Sequence, residues 1–241
     1  MIEMTNDRKK IKSELEKYAD PEKAEFLPHF FKAVPGGYGE GDLFMGVKVP
    51  FQRIIARKYY RDISLQEVEK LLQDPVHECR LTALFILCLR FGKSRTEEDK
   101  KEIVDLYLRN LSFVNNWDMV DSSADKILGP YLMDKEKDLL CELAESGDLW
   151  KQRTAVMTTY YFIRNGRFTE TLELAERFLG HKHDLIHKAV GWMLREIGKR
   201  NFSVEYEFLL KHYRAMPRTM LRYAIEKFEP QLREKFLKGR I

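Results

Sequence analysis

The sequence predicts an all-α protein built from antiparallel helix pairs, and three observations support that prediction. Apolar residues recur at helical spacing along most of the 241 residues. Capping signals mark where helices begin: Ser64 and Glu67 form a capping box, and Thr96 precedes an acidic first turn. Alternating apolar and polar residues, the pattern of strands, form no run long enough to predict a sheet.

The chain is predicted to form a single domain over residues 1–241. Residues 1–60 are expected to be N-terminal capping helices, and residues 61–241 to be helix-pair repeats. A segment at 34–44 has four glycines within the six residues 36–41, which predicts a flexible loop. The loop lacks the spacing and the lysine of a phosphate-binding P-loop. We favour an ordinary connection over a lid that folds onto a ligand, and both interpretations stay open.

A polar position recurs near the start of each predicted second helix, and apolar or small residues follow it each time. The residues at this position are Arg80, Asp121, Arg153, Lys188 and Arg222. Their spacings of 41, 32, 35 and 34 residues are typical of helix-pair repeats. A pair cannot bury its apolar face alone, so neighbouring pairs are expected to stack into a HEAT-like α-solenoid. Such a polar residue can also link adjacent turns inside the array, the role we favour for Arg80 and Arg222.

Composition limits the classes of protein. Charged residues make up 33% and hydrophobic residues 44% of the chain, which indicates a soluble globular protein rather than a disordered one. No window approaches the roughly 18–20 apolar residues of a membrane span, and the N-terminus lacks the pattern of a secretion signal. Cys79, Cys88 and Cys141 are odd in number and widely spaced, so we expect no disulfide framework and a cytoplasmic location.

Positive charge is concentrated in the C-terminal part of the chain. Residues 147–241 contain 19 Lys and Arg against 11 Asp and Glu, an excess of eight, although the whole chain carries only +4. The first 146 residues therefore carry a net charge of −4. A one-sided basic excess is expected of a surface that binds a polyanion, although a solvated basic face is common too.

Known motifs for metal binding and nucleophilic catalysis do not occur. The sequence has no Cys-x-x-Cys, His-Glu-x-x-His or Gly-x-Ser-x-Gly. His181, His183 and His187 cluster, but no cysteine or carboxylate completes a metal site, so we favour a basic lining. We expect neither a metal nor an organic cofactor.

Trp117 and Asp121 are four residues apart and therefore share one face of a predicted helix. Asp121 occupies the repeated position that is basic in the other four repeats. A carboxylate there would repel phosphate, but it would stabilise a positive charge. Of its neighbours, Asp118 is expected to cap the helix and Asp125 to face solvent.

Three segments together resemble the AlkD-type DNA alkylation repair glycosylases. They read Trp-Asp-Met-Val-Asp-Ser at 117–122, Leu-Trp-Lys-Gln-Arg-Thr-Ala at 149–155 and Lys-Ala-Val-Gly-Trp-Met-Leu-Arg-Glu at 188–196. Weaker matches at 21–25 and 46–50 extend the resemblance over most of the chain. It implies a HEAT-like solenoid with a concave DNA-binding face and the removal of N3- and N7-alkylated purines. It also implies that the damaged base need not enter a pocket, unlike in most glycosylases.

The resemblance implies roles for three residues near the reaction. Asp121 matches the family's catalytic aspartate. Trp117 and Trp192 match two tryptophans that hold the deoxyribose of the lesion. Trp150, the third tryptophan, is expected in the core instead.

It also implies contacts with DNA. Arg153 matches a phosphate-contacting arginine, and we expect Lys188 and Arg195 to hold phosphates as well. Phe30 stands where the family has a tyrosine near the lesion, so a hydroxyl is lost. Asp184 stands where the family has an aromatic residue. These two departures affect the substrate range and local DNA contacts more than the reaction.

The chemistry is consistent with a single carboxylate. An N3- or N7-alkylpurine is already cationic, so it can leave without the general acid that most glycoside hydrolases use. One carboxylate stabilises the oxocarbenium-like sugar and orients the attacking water. An indole face favours a cation by about 0.5–2 kcal/mol.

Three hypotheses follow from the sequence. The first is a monomeric glycosylase, a hydrolase acting on double-stranded DNA that contains alkylated bases. The second is a non-catalytic HEAT-like protein that recognises damaged or branched DNA, which the departures at Phe30 and Asp184 keep open. The third, a protein-binding scaffold, explains neither the basic excess nor the lone aspartate at 121.

Overall fold

The structure is a computed structural model that describes residues 7–241. Its helices are α1 (Asp7–Glu16), α2 (Pro21–Phe30), α3 (Val49–Tyr59), α4 (Leu65–Leu72), α5 (His77–Phe91), α6 (Glu97–Arg109), α7 (Trp117–Leu132), α8 (Asp138–Glu145), α9 (Leu149–Arg164), α10 (Thr169–Arg177), α11 (Asp184–Gly198), α12 (Phe202–His212), α13 (Arg218–Ala224) and α14 (Pro230–Lys238). Short 3-10 helices lie at Leu111–Phe113 and Ile225–Lys227. Within 7–241 the one β pairing is an isolated bridge between Leu43 and Val76. The predicted all-α fold class is confirmed.

The helices group into two compact units, Met1–Ile127 and Leu128–Ile241, with the boundary inside α7. The prediction of a single domain over 1–241 stays a prediction, because this grouping reports contacts within each unit only. Among residues 7–241, no helix has both the length and the hydrophobicity needed to cross a membrane. The residues before Asp7, which include most of the N-terminus considered for secretion, lie outside the described part.

Helix pairing follows the predicted repeat. In the first unit α4 packs on α5; in the second α8 packs on α9, and α11 packs on both α9 and α13. The five marked positions fall on the fourth or fifth residue of α5, α7, α9, α11 and α13. The prediction that these positions lie near the starts of helices is confirmed. Pairing with the preceding helix is seen for α5, α9 and α11, and the equivalence of all five helices as second members of pairs stays a prediction.

Side-chain caps explain where several helices begin. Ser64 accepts a hydrogen bond from the Glu67 N–H, and Thr96 accepts one from the Asp99 N–H, as predicted. Asp148 caps α9 in the same way. Pro75 lies just before α5, which begins at His77, and the preceding Asp74 accepts a hydrogen bond from the Val76 N–H at 3.0 Å.

The structural role predicted for Arg80 is confirmed and that for Arg222 is wrong. Arg80 is only 4% exposed. Its guanidinium donates to the carbonyl oxygens of Asp74 and Pro75 and to the Asn115 side chain, which links the start of α5 to the start of α7. Arg222 is exposed, because no part of the described chain covers that face of α13.

The glycine-rich segment connects α2 to α3 and is tied down at its far end. Gly36 and Gly41 have φ values of 77° and 92°, a conformation that favours glycine. Beyond them, the Leu43 N–H donates to the Pro75 carbonyl at 3.1 Å and the Leu43 carbonyl accepts from the His77 N–H at 2.8 Å. The connection is therefore anchored at the start of α5.

Candidate functional site

The first turn of α7 presents the residues that the sequence marks most clearly. The Asn116 side chain is fully buried. Its oxygen accepts from the Trp117 N–H at 2.9 Å, and its amide donates to the Phe31 carbonyl at 3.2 Å. Asp118 is the second residue of α7, and the backbone N–H from which it accepts is that of the next residue, Met119, at 2.9 Å, so the predicted capping role of Asp118 is wrong. These bonds fix the end of α7 on which Trp117 and Asp121 stand.

Trp117 belongs to an aromatic cluster within the first unit. Its ring centroid lies 5.8 Å from that of Phe30 and 5.5 Å from that of Phe31. Phe30 also lies 6.1 Å from Phe26. Phe30 is 49% exposed and Trp117 is partly exposed, whereas Phe31 is buried. The structure therefore places Phe30, predicted to lie near the lesion, in contact with Trp117 and at the surface.

Asp121 lies one turn after Trp117 and is partly exposed. Helical spacing places the two side chains on the same face of α7. The neighbouring Asp125 was expected to face solvent, and that expectation is wrong. Asp125 is buried, and its carboxylate pairs with the Lys126 ammonium at 3.2 Å, which allows a charged group to stay buried.

A buried charged network lies beneath this cluster. His77 donates from Nδ1 to Asp42 at 3.0 Å and from Nε2 to Asp118 at 2.9 Å. Asp42 also pairs with Arg80 at 2.6 Å and accepts from the Asn115 amide at 3.1 Å. The network joins the glycine-rich connection, α5 and the start of α7.

The charge state of His77 follows from its partners. Both ring nitrogens face carboxylates, and only the imidazolium has two N–H donors. Burial lowers the pKa of His77, but the hydrogen bonds to Asp118 and Asp42 outweigh it and raise the pKa to about 9. The pKa of Asp42 lies below its usual range, because the contacts with His77, Arg80 and Asn115 overcome the opposing effect of burial. The imidazole also stacks on Phe31, with centroids 4.6 Å apart, so the network supports the ring that contacts Trp117.

Sequence reasoning missed this network. His77 lies three residues before the repeated position at Arg80, but no motif marks it. Asp42 is 35 residues away from His77 in a segment without periodicity, so no spacing connects the two.

In the second unit Trp192 is partly exposed. Its Nε1–H donates to Glu196 at 3.2 Å, and its ring lies 5.9 Å from Tyr160. Burial raises the pKa of Glu196, but hydrogen bonds from Lys199 and Arg200 outweigh it and hold the pKa below its usual range. Glu196 therefore orients the indole as a carboxylate. Trp150 is buried, so its predicted place in the core is confirmed.

The three residues predicted to contact phosphate already bond to other groups of the protein. Arg153 is 5% exposed and donates to the Leu185 carbonyl. Lys188 pairs with Asp184 at 2.6 Å, and Arg195 pairs with Glu226. Their contacts with DNA stay predictions, and each would require the side chain to exchange or share these partners.

Two histidines of the cluster in the second unit differ from the basic lining that the sequence suggested. The His183 side chain accepts from the Leu185 N–H and caps α11. Burial lowers the pKa values of His181 and His183, so that expectation is wrong for these two residues. Within the described chain, no three His, Cys, Asp or Glu side chains gather as metal ligands would.

Comparisons with known proteins agree with the resemblance. A comparison with curated proteins gives no significant match. Among solved structures, the chain is similar in fold to a protein described as a predicted DNA alkylation repair enzyme from Enterococcus faecalis, with a TM-score of 0.69. The two sequences are 17% identical, and the match covers 88% of this chain and 97% of that one. The family model described as DNA alkylation repair enzyme matches residues 11–228. The chain therefore belongs to the DNA alkylation repair enzyme family.

Proposed function

We propose that this protein is a DNA glycosylase that removes N3- and N7-alkylated purines from duplex DNA by hydrolysing the N-glycosidic bond. One observation supports the proposal most directly. A partly exposed carboxylate, Asp121, stands one helical turn from the partly exposed indole of Trp117, within the region that matches the repair family.

The reaction needs little from the protein beyond charge and position. The alkylated base leaves with the bonding electrons of the glycosidic bond and becomes neutral, while the sugar becomes an oxocarbenium-like cation. Asp121 stabilises that cation and orients the water that attacks it. The water's oxygen bonds to the sugar carbon and its proton passes to solvent, which leaves an abasic site.

The aromatic residues contact the sugar and its surroundings. The indole face of Trp117 favours the developing cation, and the adjacent ring of Phe30 offers an apolar surface without a hydroxyl. Trp192 keeps the role implied by the resemblance, contact of its indole face with the deoxyribose. Glu196 holds that indole through Nε1.

Phosphate binding is proposed to proceed by exchange of partners. Lys188 and Arg195 would leave Asp184 and Glu226 for backbone phosphates, and Arg153 would use donors beyond the one bonded to Leu185. Phosphate contacts of this kind fix register without reading sequence. The exchange also makes DNA binding sensitive to salt.

The second candidate is a non-catalytic protein that recognises damaged or branched DNA. The Asp184–Lys188 pair favours it, because a carboxylate stands at a position where the resemblance implies an aromatic residue. This candidate predicts binding without release of a base.

Base release separates the two candidates. Duplex DNA methylated with dimethyl sulfate is incubated with the protein, and released bases are identified by mass spectrometry. The glycosylase releases 7-methylguanine and 3-methyladenine and leaves an equal number of abasic sites; heat-inactivated protein measures spontaneous loss. Binding to the same DNA without release above that background would contradict the proposal and favour the second candidate.

A further inference from the structure

A small basic pocket lies in the first unit, where α3, α5 and α7 meet. Its volume is about 160 Å³. Its lining consists of Arg53, Arg57, Phe85, Cys88, Leu89, Ser122 and Lys126. Ser122 directly follows Asp121 in the chain, so the pocket begins one residue from the proposed catalytic carboxylate.

The pocket has an excess of positive charge. Lys126 pairs with Asp125 at 3.2 Å, which leaves the two arginines of α3 uncompensated. Within residues 7–241, neither Arg53 nor Arg57 forms an ion pair. Since both arginines and Lys126 are exposed, the charge is available to a ligand.

The surrounding contacts hold the pocket in shape. The Arg53 guanidinium lies over the Phe85 ring, 4.4 Å from its centroid. Lys126 donates to the Ser122 carbonyl at 2.8 Å, and the Cys88 thiol approaches the same carbonyl at 3.7 Å. Arg53 and Arg57 are four residues apart on α3, so their side chains project from one face of that helix.

The ligand that fits this chemistry is a phosphate group. Arginine donors arranged as a planar fork match the geometry of phosphate oxygens, and the exposed ammonium of Lys126, although paired with Asp125, can donate to the same group. Asp121 and Lys126 are separated by about 7.5 Å along the axis of α7, at 1.5 Å per residue. That is about two nucleotides of one DNA strand at 3.4 Å each.

We propose that this pocket binds one backbone phosphate of DNA, within about two nucleotides of the sugar that faces Asp121. The position relative to the sugar rests on the proposed function, whereas phosphate binding itself does not. All phosphate contacts predicted from the sequence lie in the second unit. This pocket gives the first unit, whose part of the chain carries net negative charge, its own contact with the DNA backbone.

The test uses a duplex with a tetrahydrofuran abasic analogue, which cannot be cleaved, so that no excision is needed. The dissociation constant is measured over a series of salt concentrations for the native protein and for the Arg53→Gln/Arg57→Gln variant. Loss of one phosphate contact should weaken binding and reduce the log–log salt slope by about one unit. The matched control is Lys9→Gln/Arg95→Gln, which removes the same charge from exposed positions of the same unit outside the pocket.

A second arm identifies the source of the phosphate. A neutral methylphosphonate replaces one backbone phosphate at a time on either side of the abasic analogue. One replacement should weaken binding by the native protein but leave the double arginine variant unaffected. If inorganic phosphate occupies the pocket while every methylphosphonate affects both proteins equally, the pocket binds free phosphate and the proposal is overturned.

Loss of the Arg53–Phe85 contact could unfold the double variant, so Lys126→Gln and Arg57→Gln are measured separately, each checked by circular dichroism. A folded variant with the native salt slope and affinity would overturn the proposal. If the native protein releases no base, these binding results still decide the phosphate contact.

Discussion

Asp121 differs in charge from the residues at the same position of the other repeats. The same place in the other repeats holds an arginine or a lysine, and at Arg80 that side chain serves the interior of the protein. The carboxylate at 121 remains partly exposed beside an indole. A negative charge at a partly exposed position of a DNA repair protein suits a cationic transition state better than it suits phosphate.

Asp184 is a second residue whose charge opposes DNA binding. Hydrogen bonds from Lys188 and Thr219 overcome the effect of burial and hold its pKa below the usual range, so it is ionised at neutral pH. Asp184→Asn keeps the size of the side chain but releases Lys188 and removes a repulsive charge. Since exposed ion pairs contribute about 0.2–1 kcal/mol, affinity for duplex DNA should rise by roughly 1.4- to fivefold.

Fluorescence anisotropy with a labelled duplex measures this change. Glu234→Asn removes a comparable partner from Lys238 on α14 and serves as the control. Affinity that is unchanged or lower in Asp184→Asn would mean that Lys188 does not contact DNA.

At the scale of elements, two buried groups hold helices together. His77 joins the glycine-rich connection, α5 and the start of α7. Glu205 of α12 packs against Gly198 at the end of α11, so closely that a Cβ at 198 would lie 1.6 Å from its carboxyl oxygen. The His77 imidazole and the Glu205 carboxyl both titrate at mildly alkaline pH. Against the effect of burial, hydrogen bonds to carboxylates raise the pKa of His77, whereas burial raises that of Glu205.

The His77 network should loosen at alkaline pH. The folded-state pKa of about 9 lies above the ordinary value, so the imidazolium's contribution to stability is full below that ordinary value and is lost as pH rises through about 9. A variant with Trp150→Phe and Trp192→Phe leaves Trp117 as the single tryptophan. Its emission and acrylamide quenching should change with a midpoint near pH 9.

His77→Gln should abolish that transition, because it replaces the titrating ring. His212→Gln, which removes a buried histidine of the second unit, should leave it intact. The same transition in both variants would show that His77 does not control the environment of Trp117.

Glu205 should destabilise the second unit as pH rises. It is 2% exposed, and burial raises its pKa to about 8, with Arg195 opposing. The folded state therefore keeps a proton that the unfolded state loses, and the free energy of unfolding falls from the ordinary carboxyl pKa up to about pH 8. Glu205→Gln should raise the free energy of unfolding by on the order of 2–4 kcal/mol in mildly alkaline buffer. In acidic buffer the substitution should change the free energy of unfolding little.

Urea unfolding in acidic and alkaline buffers measures that difference. Glu207→Gln, two residues further along α12 and exposed, provides the control. An equal effect of Glu205→Gln at both pH values would show that the carboxyl is not protonated in the folded protein.

At the scale of the whole chain, the asymmetry of charge predicts how DNA binding depends on salt. Three contacts in the second unit and one in the first should each displace a counterion. The log of the affinity should then fall with the log of salt concentration with a slope of about −3 to −4. Isothermal titration with undamaged duplex measures it, and a flat response would exclude DNA as the ligand.

Much of the fold could be predicted from the sequence, because helix pairing leaves local signals. Caps such as Ser64 depend on residues a few places apart, the polar position recurs at the spacing of helix pairs, and both fall near helix starts. The resemblance placed Phe30 and Trp117 each near the lesion, but the contact between their rings is seen only in the structure. Contacts between distant segments left no such signal, so the Asp42–His77 link and the burial of Asp125 emerged only from the packed structure.

The central claim is that Asp121 stabilises a cationic sugar, and single-turnover excision tests it most directly. Asp121→Asn preserves size but removes charge, so release of 7-methylguanine should slow by about 10²–10³-fold. The affinity of Asp121→Asn for the abasic-analogue duplex should equal or exceed that of the native protein, and its melting temperature should stay near the native value. Trp117→Ala should slow release less, by roughly 5–30-fold, which corresponds to about 1–2 kcal/mol. A native single-turnover rate per folded molecule in Asp121→Asn, with or without a lower melting temperature, would contradict the claim.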